Sequence, residues 1–254
     1  MKVTTETKGD FRMSKEKVVM ITGASKGLGR ELAFAFARQG AKLAICARGE
    51  EKLKEVQDEL EKTGAEVVAL AADVSDPRDV ERFVSITESA YGRVDVLINN
   101  ASVFGKGPCL LLDYTHEEFQ EVMRVNTMNP LLMTKRVLPG MLSHKTGSII
   151  NLTSEAGKTG FAEWGAYGIS KFAVEGMTQT WADELEDTGV RINMVDPGEM
   201  DTEMHDKAVP QCDYELADPA DAVDVFLYLA SDQSSGVNGR RFEAQNFSSD
   251  EEVI

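Results

Sequence analysis

Cysteine is scarce, with three copies in 254 residues. Cys46, Cys109 and Cys212 lie far apart and form no C-x-x-C pair. That excludes a disulfide framework and a recognisable zinc site, and it points to a reducing, cytoplasmic setting. No run approaches the ~20 consecutive apolar residues of a membrane-spanning helix. The segment from Met1 to Lys17 is polar and mixed in charge, without the apolar core of a secretory signal. Positive charge is also short, since 27 Lys and Arg face 43 Asp and Glu for a net charge of −16. Nucleic acid and anionic membranes both need clustered cations, so neither is an expected partner. No Pro/Gly/Ser-rich linker divides the chain and no internal repeat is present.

The acidity is uneven. Residues 1–200 carry 24 basic and 30 acidic side chains, whereas residues 201–254 carry 3 and 13. A phosphate-bearing ligand is therefore expected toward the first part of the chain. With 42% hydrophobic residues the chain is long enough for one large α/β domain with a substantial core.

Short apolar runs alternate with longer helical patterns. Strands are predicted at 18–22, 42–47, 66–72, 94–98, 148–153, 190–195 and 241–244. Helices are predicted at 27–39, 50–62, 77–91, 115–138, 164–187 and 219–230, two of them opened by Pro77 and Pro219. Near-continuous apolar strands separated by helices predict a mostly parallel sheet covered on both faces. The expected fold is a single doubly wound α/β domain of Rossmann type with seven strands over 17–247. Residues 1–16 are expected to be a flexible extension and 248–254 an acidic tail.

After the first strand, Thr22-Gly23-Ala24-Ser25-Lys26-Gly27-Leu28-Gly29 leads straight into a helix. Glycines let backbone approach a diphosphate, and a helix N-terminus offers unpaired N–H groups to an anion. The spacing is G-x-x-x-G-x-G, and no Walker loop is present. The second strand ends Ile45-Cys46-Ala47-Arg48, with no acid at its tip. An acid there would take the ribose hydroxyls of NAD, whereas Arg48, with Lys26 in the glycine turn, suits the 2′-phosphate of NADP(H).

Tyr167 and Lys171 are four residues apart and share a helix face. A nearby ammonium favours tyrosinate and makes the phenol a workable acid/base group. Ser154 stands at the end of the fifth strand, Asn99-Asn100-Ala101 ends the fourth, and Asn126 lies in the helix between them. Together with the glycine turn, in this order and spacing, these residues resemble the short-chain dehydrogenase/reductase family from about Lys17 to about Ala244.

The resemblance implies that Tyr167 exchanges the proton, Lys171 tunes it and holds the nicotinamide ribose, and Ser154 bonds the substrate oxygen. Asn126 would anchor a water-linked relay. The implied cofactor contacts are Gly23, Ser25, Lys26, Gly27, Leu28, Gly29, Arg48, Asp73, Val74, Asn100, Ala101, Pro197, Gly198 and Thr202, with Tyr167 and Lys171. It also implies a homodimer or homotetramer through the helices at 115–138 and 164–187, and a substrate lid over 203–217. Two departures stand out. Ser102 takes a place where the family has glycine, which matters if that backbone needs positive φ. Glu155 follows the serine directly, where it would repel anions or face solvent.

His116, His144 and His205 show no metal-ligand spacing and read as surface or capping residues, so no metal is expected. The stripe Met177, Trp181 and Leu185 reads as helix packing. The lid's acids are expected to disfavour bulky anionic substrates or simply to face water. The leading expectation is an NADP(H)-dependent oxidoreductase, a carbonyl reductase interconverting a small-molecule carbonyl and alcohol. A cofactor-binding regulator with vestigial chemistry would bind NADPH without oxidising it. A nucleotide-sugar epimerase or dehydratase would need a larger substrate domain than the short C-terminal part offers.

Overall fold

Seven apolar runs form the strands β1 (Val18–Thr22), β2 (Lys42–Ala47), β3 (Val67–Ala71), β4 (Val96–Asn99), β5 (Gly147–Leu152), β6 (Val190–Asp196) and β7 (Arg241–Glu243). They build one sheet in the order β3-β2-β1-β4-β5-β6-β7, and every neighbouring pair is parallel. The structure, a computed structural model, describes residues 16–248. Most of the expected N-terminal extension and of the acidic tail lies outside the described residues.

Parallel strands require crossovers, and the intervening polar-apolar patterns supply them as helices. These are α1 (Gly27–Arg38), α2 (Glu50–Lys62), α3 (Pro77–Tyr91), α4 (His116–Met123), α5 (Asn129–His144), α6 (Gly165–Glu184), α7 (Glu203–Ala208) and α8 (Asp224–Ala230). Side chains alternate along each strand between two cores. Val19, Ile21, Leu43, Ile45, Ile98 and Ile150 pack beneath α1, α2 and α8. Met20, Ala44, Leu97 and Ile149 pack on the other face with α3, α5 and the end of α6. Phe36 and Phe226 on the first face and Phe83 on the second are fully buried. Truncating any one of them to alanine is worth ~3–5 kcal/mol.

The expected helix over 115–138 is interrupted and runs further. A capping box of Thr115 and Glu118 opens α4, a π-helical turn spans Arg124–Met128, and α5 continues to His144 with Pro139 inside it. Pro130 has no N–H for the carbonyl of Asn126 four residues earlier, which accounts for the change of helical ladder there. The late helix begins as a 3-10 turn at Pro219–Ala222 before α8. The connection from Pro77 to Tyr91 keeps its predicted limits, with Asp76 accepting a hydrogen bond from the Arg78 N–H as the cap.

Candidate active site

In a parallel sheet all strands end on one edge, so the segments that follow them face a common space. Here they enclose a cleft of about 690 Å³. Gly23, Ser25, Lys26, Gly27, Leu28 and Gly29 line it after β1, and Arg48 after β2. Asp73 and Val74 enter after β3, Asn100 and Ala101 after β4, Pro197 and Thr202 after β6, with Tyr167 and Lys171 from α6. Asn126, Ser154 and Gly198 stand outside the lining proper.

The glycine turn is pressed against the end of β4. Gly23 has φ +70°, and a Cβ there would lie 2.8 Å from Ala101 Cα. A Cβ on Gly29 would lie 2.4 Å from the Gly23 carbonyl oxygen and 2.5 Å from Asn100 Nδ2. Asn100 fastens the two strand ends together, Nδ2 donating to the carbonyls of Thr22 (2.8 Å) and Gly23 (3.1 Å). Only glycine permits this approach, and it leaves the turn and the start of α1 facing the cleft.

The charge at this end of the cleft is positive. Arg48 is exposed at the tip of β2, and Lys26 is exposed on the turn. Lys52, in the first turn of α2, joins them in the lining and was missed in the sequence, because Arg48 lies before the helix and no helical spacing links the two. Both lysines are bonded by Glu203, which comes from α7. Asp73 is already committed, accepting from the Ser75 N–H (3.0 Å), the Ser75 hydroxyl (2.5 Å) and Arg124 (3.3 Å). Burial pushes its carboxyl up, but the Ser75 bonds and the Arg124 charge outweigh that and hold it below its ordinary value.

At the opposite end lie the groups suited to proton transfer. Tyr167 and Lys171 are buried on one face of α6, the ammonium 5.5 Å from the phenol ring centre and donating to the Leu152 carbonyl at 2.9 Å. Burial pushes the Tyr167 phenol up to about 12, while a hydrogen bond from Ser154 works against the rise. Burial also brings Lys171 down to about 8, with Asp196 opposing. In the protein alone, desolvation therefore outweighs the expected lowering of the phenol by its lysine. Ser154 caps a short 3-10 turn, its Oγ accepting from the Ala156 N–H at 3.2 Å.

Asn126 is buried behind this pair and its amide is saturated. Nδ2 donates to the Val103 carbonyl and to Ser170 Oγ, both at 2.9 Å, and Oδ1 accepts from Val103 N–H (2.8 Å) and Ser102 Oγ (3.2 Å). Ser102 is not among the residues with positive φ, so the position has no need of glycine.

A polar network that sequence reasoning missed braces Ser154 from behind. Arg241 on β7 donates to Asp196 Oδ2 (2.7 Å), Glu175 Oε1 (3.1 Å) and the Ser154 carbonyl (3.3 Å). Thr153 Oγ1 donates to the same Glu175 oxygen at 2.7 Å. A Cβ on Gly157 would lie 2.5 Å from Thr153 Oγ1, so the glycine makes room for the network. Its members come from four separate elements, and no local spacing announced it. Glu155 lies at its rim, paired with Lys158 at 3.1 Å and held below its usual range by that lysine and Thr159.

The lid region carries one correction. His205 is buried rather than on the surface, with its ring 6.2 Å from that of Tyr214 and Nε2 3.6 Å from Glu199 Oε1. Met204 and Val209 pack against Phe104, Ala156, Tyr167 and Ala208, while Tyr214 is half exposed and donates to Glu199 at 2.9 Å.

The geometry agrees with the comparisons to known proteins. The family model for the short chain dehydrogenases matches residues 17–213. The chain belongs to the short-chain dehydrogenase/reductase family of oxidoreductases. It is 35% identical over 234 residues to YciK, an uncharacterised oxidoreductase of Escherichia coli K12, covering 91% of this chain and 92% of that one. It is 34% identical over 234 residues to the 3-oxoacyl-[acyl-carrier-protein] reductase FabG of Thermotoga maritima, covering 88% and 94%. Among solved structures it is similar to a short chain dehydrogenase of Escherichia coli CFT073 complexed with NADPH. The TM-score is 0.86 at 34% identity, covering 93% of this chain and 100% of that one.

Proposed function

We propose that the protein is an NADP(H)-dependent oxidoreductase that interconverts a carbonyl and an alcohol on a small molecule. The observation that carries this reading is a cleft lined at one end by Tyr167, hydrogen-bonded to Ser154, and Lys171, and cationic at the other. The residues present fit a dinucleotide. Gly23 and Gly29 let the turn close onto the end of β4 so that the start of α1 faces the cleft, and Lys26, Arg48 and Lys52 suit a 2′-phosphate. The NADPH bound by the related structure supports the same choice.

When bound, the nicotinamide would supply or accept the hydride. Tyr167 Oη gives the proton to the substrate oxygen in reduction and takes it in oxidation. Its elevated pKa keeps the phenol protonated at neutral pH, the form that reduction consumes. Ser154 Oγ donates to the same oxygen and stabilises the charge that develops there. Lys171 steadies the phenolate left behind. A relay anchored at Asn126 would run from its main-chain carbonyl, because the side-chain amide is fully bonded.

Replacing Tyr167 by phenylalanine should abolish turnover in a carbonyl and alcohol panel followed by NADPH absorbance, while NADPH still binds. Substantial activity in that variant would refute the role of Tyr167. Faster turnover with NADH in the same panel would overturn the cofactor choice. We also propose a homodimer or homotetramer through the α4–α5 segment and α6, where Ile169 (40% exposed) and Phe172 (47%) on α6 are apolar. Light scattering that gives a monomer would refute that assembly.

A further inference from the structure

Glu203 is the first residue of the lid helix α7, and its two carboxylate oxygens are divided between two lysines from other parts of the fold. Oε2 accepts from Lys26 of the glycine turn, and Oε1 accepts from Lys52 of α2 at 3.1 Å. All three side chains line the cleft beside Arg48. The preceding residue repeats the contact. Thr202 Cγ2 lies 3.4 Å from the position a Cβ on Gly27 would take, so the start of the lid rests on the glycine turn. Asp201 and Asp206 line the same cleft and, among the described residues, bridge no lysine. Lys26 and Lys52 also hold Glu203 below its ordinary pKa, so the carboxylate is charged at neutral pH.

We propose that Glu203 is a cofactor-discriminating residue that competes with the 2′-phosphate of NADP(H) for Lys26 and Lys52, so that phosphate binding releases the lid. This rests on the NADP(H) reading above. A phosphate bearing nearly two negative charges cannot share both ammonium groups with a carboxylate without bringing like charges together, so one anion leaves. Exposed ion pairs are individually weak, and the phosphate has Arg48 as a further partner, so the carboxylate yields. NAD(H) brings only a ribose hydroxyl to this place and leaves the Glu203 bridge intact. The lid thus senses which dinucleotide occupies the cleft.

The test compares 2′,5′-ADP with 5′-AMP, which differ by the 2′-phosphate, on the full chain by calorimetry and by hydrogen exchange of residues 203–208. Glu203→Gln should tighten 2′,5′-ADP about three- to tenfold and leave 5′-AMP unchanged. Asp206→Asn, which removes a charge but no bridge, should change either ligand by under about twofold. In the wild-type protein 2′,5′-ADP should accelerate exchange in 203–208 and 5′-AMP should not. In Glu203→Gln that exchange should be fast from the start. An equal gain in Asp206→Asn would reduce the effect to general charge and overturn the proposal. If wild-type protein prefers 2′,5′-ADP but Glu203→Gln leaves that preference and the exchange unchanged, the proposal fails alone. If wild-type protein shows no preference for 2′,5′-ADP, the NADP(H) reading fails and takes the proposal with it.

Discussion

Replacement of Arg241 by methionine isolates the network behind Ser154. Arg241 is 17% exposed; of its close carboxylate partners Glu175 and Asp196 are 11% and 9% exposed, and Glu243 at 3.1 Å is half exposed. Methionine keeps the length of the side chain and removes every donor. Asp196 and Glu175 would then lose their cation in a poorly solvated place, the costly half of a broken buried pair, worth ~3 kcal/mol or more. At ~2–4 °C per kcal/mol for a chain of this size, the thermal midpoint should fall by about 6–12 °C. The loss should depend on pH, and its sign follows from Asp196. Burial raises the Asp196 pKa, and Arg241 opposes that rise, so the variant raises it further. A native state that binds more protons than the unfolded state gains stability as pH falls through the folded pKa. The gap between wild type and variant should therefore narrow as pH falls below neutrality. The Ser154 carbonyl also loses its donor, so turnover should fall more than NADPH affinity. Scanning calorimetry at several pH values checks the first claim and steady-state kinetics the second. A midpoint loss under about 2 °C, or a gap that widens in acid, would refute the account of Arg241 as the partner of buried charge.

Other perturbations follow from the same geometry. Lys171 titrates at about 8 when folded, below its ordinary value. Its native form therefore binds fewer protons, and it adds stability as pH rises. Relative to Lys171→Met, the wild type should gain about 2 kcal/mol between about pH 7 and about pH 10, read by denaturant melts. A flat difference would show that the ammonium is not desolvated. Gly29→Ala drives a Cβ to 2.4 Å from the Gly23 carbonyl oxygen. It should weaken NADPH binding at least about tenfold as the turn shifts, measured by fluorescence titration. Ser102→Gly should lower stability by roughly 1 kcal/mol and leave turnover no higher, because the position has ordinary φ and gives up its bond to Asn126. A gain in activity there would show that serine is a strained substitute.

Legibility in the sequence followed locality. Strands buried on both faces are continuous apolar runs, and the glycine turn, Arg48 and Ser154 each sit beside the end of such a run, while Tyr167 and Lys171 share one face of the helix that follows β5. A parallel sheet brings strand ends together, so a correct list of strands already gathers these residues on one edge. The π turn was not legible as such, although Pro130 marked the carbonyl it disturbs, and the helix expected to end at 138 continues through Pro139 to His144. The Arg241, Glu175, Asp196 and Thr153 network was beyond reach because its members lie up to 88 positions apart and obey no spacing rule. His205 was misjudged for the same reason. Its burial comes from Tyr214 and the path of the lid, not from its neighbours in the chain.

The acidic C-terminal part takes on a different meaning once the contacts are known. Taken as a composition, 13 acids against 3 bases after residue 200 suggests a repulsive lid over the substrate. In the fold, several of those acids are partners for the cations of the first 200 residues. Asp232 binds Lys17 at 2.7 Å, Glu243 binds Lys158 at 3.2 Å, and Glu203 binds Lys26 and Lys52. The C-terminal segment thus tethers itself electrostatically to the body of the sheet at β1, at the turn after β5 and at the mouth of the cofactor cleft. Only the last of these tethers uses cations that a ligand phosphate would also want. Charge in this chain is therefore arranged by position along the cleft. On the reading proposed above, a cofactor phosphate would compete with Glu203, whereas the Tyr167 end of the cleft is backed by the rings of Phe104 and Trp164. Selection at that end should follow shape and apolar contact, and neutralising Asp206 and Asp213 should leave the ranking of neutral over anionic carbonyls unchanged.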